Sequence, residues 1–108
     1  MSPALDRTLA ALAEPSRRQV IQLLKEGPRR AGELAEALGA SRPATSRHLR
    51  VLREARVVRE IPDPEDGRGR IYSLRTAPLR ELGTWLDEVQ RFWDDQLASF
   101  NALVEEEG

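Results

Sequence analysis

The chain has 108 residues, 40% apolar and 32% charged, which fits one soluble globular domain spanning 1–108 with a modest core. No apolar run approaches the ~18 residues that cross a bilayer. The leading MSPALDRTLAAL has neither a basic n-region nor a small-residue cleavage site, so the expected location is cytoplasmic, with no membrane partner. There is no cysteine, which excludes disulfides, thiolate metal sites and thiol redox sensing.

The net charge of −1 is unevenly spread: residues 1–40 carry +1, residues 41–75 carry +4 and residues 76–108 carry −6. A local basic patch, not the overall balance, is the electrostatic footprint of a nucleic-acid binder.

In chain order, Ser2 is a good N-cap and Pro3 sits in the first turn of a helix, where its missing N–H costs nothing. Leu5, Leu9 and Leu12 form an apolar stripe along it. Pro15 opens a second helix with Val20, Ile21, Leu23 and Leu24 buried, and Gly27–Pro28 stops it. A third helix, about Ala31 to Leu38, buries Leu34 and Leu38 and ends at Gly39. Ser41 caps a fourth, with Pro43 in its first turn and Thr45, Leu49 and Leu52 on its core face. Val57–Ile61 and Arg70–Leu74 read as strands around PDPEDGRGR, which predicts a hairpin with a long mobile tip. From Pro78 to about Val104, Leu79, Leu82, Leu86, Val89, Trp93, Leu97, Phe100 and Leu103 recur at helical spacing, with Trp85 and Phe92 widening the stripe. So apolar a helix exceeds what a small domain can cover, which marks an interface. Only the EEEG end reads as frayed.

Residues 31–55 therefore form a helix-turn-helix, 57–75 a wing and 78–104 a dimerisation helix. The expected fold is mainly α with a small β-hairpin, a winged helix-turn-helix. Its second helix is the element such proteins place in a DNA major groove. The expected DNA-binding set is Ser41, Arg42, Pro43, Thr45, Ser46, Arg47 and Arg50 on that helix, with Arg68 and Arg70 on the wing. Arginine suits the role because its planar fork engages guanine O6 and N7 together, or grips a phosphate. Wing arginines could reach a minor groove or the backbone.

The stretch ALAEPSRRQVIQLLKEGPRRAGELAEALGASRPATSRHLRVLREARVV is similar to the ArsR/SmtB family of winged-helix regulators. The resemblance covers nearly the whole chain, and its most specific pieces are EPSRRQVIQLL and SRPATSRHLRVLREA. It implies a homodimer joined through the first and last helices, an imperfect palindromic operator in double-stranded DNA and, usually, repression. It places recognition contacts on Arg42, Pro43, Ser46 and Arg47. The expected dimer surface is Leu5, Leu9, Leu12, Leu82, Trp85, Leu86, Val89, Phe92, Trp93, Leu97 and Phe100. The chain departs from the family pattern in three ways. Arg30 and Gly32 stand where many members carry a metal-binding Cys-x-Cys pair, the last helix has no histidine, and Arg56 replaces the glycine common after the recognition helix.

His48 is the only histidine and reads as a packing residue or a phosphate contact rather than a ligand. Ser46 and His48 lie ~200° apart around a helix and cannot form a nucleophile–base pair. Asp87, Glu88, Asp94 and Asp95 read as a solvated face. GRGR lacks the strand–helix context of a phosphate loop. No enzyme, cofactor or metal is expected. The leading expectation is a homodimeric repressor, its effector unspecified. The alternatives are a protein-interaction module docking through the aromatic last helix and a carboxylate/histidine metal-responsive regulator.

Overall fold

The computed structural model describes residues 2–107. Its elements are α1 (Pro3–Leu12), α2 (Pro15–Leu24), β1 (Arg29–Arg30), α3 (Ala31–Leu38), α4 (Arg42–Glu54), β2 (Val58–Pro62), β3 (Arg70–Leu74) and α5 (Thr76–Glu107). Three of the helices carry a proline at their first or second position behind a side-chain cap. Ser2 Oγ accepts from Leu5 N, Glu14 from Arg17 N and Ser41 Oγ from Ala44 N, each at 3.1–3.2 Å in β-region backbone. These caps satisfy donors that the first helical turn cannot pair.

The core forms where α1 to α4 meet the sheet. Val20, Leu34, Leu49, Leu52, Val57 and Val58 are fully buried, with Ala11, Leu24 and Ala55 beside them. The sheet is antiparallel in the order β1-β3-β2, with Arg30 opposite Ile71 and Glu60 opposite Tyr72. The hairpin is thus a three-stranded wing whose third strand comes from the segment leading into α3. β2 sits one residue later than the expected Val57–Ile61, because the Val57 amide is spent on Leu52 O in the turn that closes α4.

Two expectations change on this frame, and a third gains detail. Leu5, assigned to a dimer surface, is 4% exposed within a single chain, where α1 packs on α5. The inward face of α1 is Leu5, Thr8 and Ala11, while Leu9 is half-buried and Leu12 packs against the core. The wing tip, expected to be long and mobile, is laced by local bonds. Asp63 N donates to Gly69 O at 3.1 Å and Gly69 N to Asp66 O at 2.8 Å. Asp63 Oδ1 accepts from Glu65 N and Asp66 Oδ1 from Arg68 N, two turns of the kind short acidic side chains make. The last helix starts at Thr76, two residues before Pro78, and runs through the expected frayed end to Glu107; Gly108 lies outside the described residues. Pro78 is still in the first turn, where no intrahelical partner awaits its missing donor.

The 32 residues of α5 extend ~48 Å at 1.5 Å per residue, giving the chain principal extents of 70 × 25 × 23 Å. Leu82 and Trp85 are half-buried. Beyond them Leu86, Val89, Phe92, Trp93, Leu97, Phe100, Leu103 and Val104 all stand exposed, with Phe92 at 61% and Trp93 at 58%.

Candidate nucleic-acid interface

The basic face is built on α4. Its inward residues Thr45, Leu49 and Leu52 lock it into the core, so the opposite arc must face out. At 100° per residue that arc runs from Arg42 on the wing side, through Ser46, Arg50 and Pro43, to Arg47, spanning about 140°. All five are exposed, as is the cap Ser41. Thr45 is not part of this face. It is 0% exposed and its Oγ1 donates to Ser41 O at 2.9 Å, so it cannot reach a base and is removed from the expected set.

Arg42 and Ser46 join Arg68 and Arg70 of the wing along one open groove of about 690 Å³, which Arg30, Gly32 and Tyr72 also line. Arg42 lies across the first turn of α3, where its Nη1 would be 3.2 Å from a Cβ placed on Gly32. Glu33 and Glu36 of α3 form the acidic wall of the same groove. Pro43, Arg47 and Arg50 lie outside it, further round α4. The expected residues therefore form two neighbouring strips on one face.

The arginines divide by partner. Among the described residues, the guanidinium groups of Arg42, Arg47, Arg50 and Arg68 make no ion pair or hydrogen bond. Arg70 is engaged: its Nε lies 3.2 Å from Glu60 Oε1, while Glu60 Oε2 takes Arg53. Arg30 Nε and Nη2 both reach Asp63 Oδ2 at 2.6 Å. That guanidinium holds the Asp63 carboxyl below the usual carboxylate range, and the carboxylate raises Arg30 in return. Burial pushes the Tyr72 hydroxyl up, with Glu60 adding to the push, so it stays a neutral donor in the groove wall.

His48 packs at the helix junction, its Nδ1 3.8 Å from Glu14 Oε2, beyond hydrogen-bond reach. Among the described residues no three His, Asp or Glu side chains cluster to hold a metal ion, and no helix is long and apolar enough to cross a membrane. Arg30, Glu33, Glu36 and Tyr72 were missed by sequence reasoning. The only available signal was the basic pair Arg29–Arg30 before α3, which reads as surface charge until its partner 33 residues away is seen.

Residues 14–60 match the model of a family described as bacterial regulatory protein, arsR family. The chain is 43% identical to the HTH-type transcriptional regulator Rv2034 of Mycobacterium tuberculosis over 95% of this chain and 91% of that protein. It is 35% identical to the transcriptional repressor SdpR of Bacillus subtilis over 76% and 88% respectively. Its fold superposes on an ArsR-like transcriptional regulator from Rhodococcus sp. RHA1 with a TM-score of 0.77 at 27% identity, covering 93% of this chain and 92% of that one. The winged helix, its exposed basic face and these likenesses agree: the chain belongs to the arsR family of bacterial regulatory proteins and is a DNA-binding transcription regulator, not an enzyme.

Proposed function

We propose that the chain is a sequence-specific repressor that binds double-stranded DNA as a homodimer, with α4 in the major groove and the wing on the flanking backbone or minor groove. The observation that carries this reading is that four exposed arginines gathered on α4 and the adjoining wing, Arg42, Arg47, Arg50 and Arg68, have no anionic partner among the described residues. A paired arginine has its anion already; these four do not. Ser41, Pro43, Ser46 and Arg70 complete the contact surface, Arg70 once it leaves or shares Glu60. Two copies of α4 about 34 Å apart would address an imperfect palindrome in successive major grooves. The repressor reading draws on SdpR, which is called a repressor. With no cysteine in the chain, switching does not run through thiolate metal binding.

The test uses a duplex selected from a random-sequence pool by the wild-type protein. Arg47→Ala/Arg50→Ala abolishes its binding and leaves oligomeric state unchanged. Unchanged affinity sinks the reading and favours a protein-docking role. Zinc or nickel at stoichiometric levels leaves affinity unchanged; a shift would restore a metal-responsive mechanism.

A further inference from the structure

We infer that Asp63 is a positioning residue for the wing: by gripping Arg30 at the head of α3, it sets where Arg68 stands relative to α4. This rests on the DNA-reading proposal above. Asp63 is the one buried residue of an otherwise solvated tip, its side chain 3% exposed, and a carboxylate so enclosed needs charged or hydrogen-bonding partners. It has them on both oxygens. Oδ2 takes Nε and Nη2 of Arg30, each at 2.6 Å, and Oδ1 takes the Glu65 amide at 2.9 Å.

Both ends of this clip are fixed. Arg30 is the N-cap residue of α3, its amide bound by Glu33 Oε1 at 3.2 Å and its backbone paired in register with Ile71. At the other end, Asp63 N donates to Gly69 O, and Gly69 approaches so closely that an added Cβ would lie 3.3 Å from Asp63 Cβ and 3.4 Å from Oδ2. A side chain at position 69 would require Asp63 to give by a few tenths of an ångström. Arg68 is the residue before Gly69, and its amide is tied to Asp66 Oδ1. Thus the backbone carrying a free guanidinium is locked, through Asp63, to the helix that packs against α4. Glu65 adds a looser arm, its Oε2 3.6 Å from Arg30 Nη2. The pair joins positions 30 and 63, so it orients the wing against the helices rather than closing the hairpin itself.

The test is a double-mutant cycle on the selected duplex, read by affinity and by hydroxyl-radical footprinting. Arg68→Ala is expected to weaken binding about 5- to 10-fold and to lower the salt slope. Asp63→Asn, which keeps the shape, is expected to match that loss and to remove protection flanking the half-sites while protection at their centres stays. The double variant is expected to be no more than about 2-fold weaker than either single one, since the two act through one contact. Arg30→Met breaks the clip from its other side and serves if Asp63→Asn fails to fold; it too should lose flanking protection only. Additive losses, or flanking protection retained without the clip, overturn the inference. If these variants bind as wild type while Arg47→Ala/Arg50→Ala does not bind, this inference fails and the DNA-reading proposal stands.

Discussion

Arg53 on the last turn of α4 and Glu60 on the first strand of the wing form an ion pair that ties helix to wing, and Glu60 holds Arg70 with its other oxygen at 3.2 Å. Half-exposed pairs of this kind contribute only ~0–1 kcal/mol, so their effect on DNA should outweigh their effect on stability. Glu60→Gln removes a negative charge from the basic face and releases both guanidinium groups. Expected outcomes are tighter binding to a 30-bp duplex of arbitrary sequence at low salt and a log–log salt slope steeper by about 1 to 2 per protomer. Fluorescence anisotropy across a salt series reads both. Unchanged or weaker binding would mean that neither arginine faces phosphate.

Helix α4 ends in a Schellman turn. Val57 N donates to Leu52 O at 3.0 Å and Arg56 N to Arg53 O at 2.9 Å, placing Arg56 in the left-handed region at φ 62°. Helix α3 ends the same way on Gly39, at φ 64°. A side chain in that conformation costs roughly 1 kcal/mol, partly offset in a glycine variant by greater freedom of the unfolded chain. Arg56→Gly should therefore stabilise by about 0.5–1 kcal/mol, a Tm rise of roughly 2–6 °C for a domain of this size. Thermal unfolding at fixed protein concentration decides it. A lower Tm would mean that the exposed Arg56 side chain contributes more than its backbone costs.

Helix boundaries were legible because they carry local chemistry. Ser2–Pro3, Gly27–Pro28, Gly39 and Ser41 each mark an end that capping or left-handed backbone explains. The outward arc of α4 followed from 3.6-residue periodicity alone. Periodicity also turns Thr45 inward, against its place in the expected contact set, and the packing agrees with the periodicity. What stayed hidden was long-range or too short to show a period. The two-residue strand β1 has no pattern to read. Leu5 looks like any exposed stripe leucine until α5 folds back over it. Arg30 and Asp63 are separated by 33 residues, so a basic pair and a turn-forming acid could not be matched in advance.

The Arg30–Asp63 pair also fixes a pH window. The Asp63 carboxyl is held below its ordinary value, chiefly by the Arg30 hydrogen bonds. A lowered carboxylate contributes stability that is fully present above the unfolded-state pKa, near 3.9, and is lost as pH falls through the lower folded value. The stability difference between wild type and Asp63→Asn should hence be constant from about pH 5 to 8 and shrink below about pH 4. Urea titrations at stepped pH measure it. A difference that changes between pH 5 and 8 would place the titrating group elsewhere.

The exposed stripe on α5 continues past the point where α1 covers it, through Leu86, Val89, Trp93, Leu97 and Phe100, with Phe92 set edge-on to Trp93 at 6.3 Å between ring centroids. Single apolar residues on a surface need no explanation, but a contiguous stripe of this length does. A second copy of the same helix supplies a matching stripe, with Leu9, Leu82 and Trp85 at its half-buried inner end. Trp93→Glu/Phe100→Glu places two charges within that stripe. The variant should sediment as a monomer at micromolar concentration while wild type sediments as a dimer, and should lose about 100-fold or more in operator affinity as the two half-sites uncouple. Tryptophan emission gives an independent reading. Both tryptophans lie on α5, and Trp93 is exposed in the single chain, so dimerisation should shift emission to shorter wavelength and dilution should reverse it. Wild type that stays monomeric with solvent-like emission would remove the second copy as the occupant of this face, and with it the two-helix geometry that reads a palindrome.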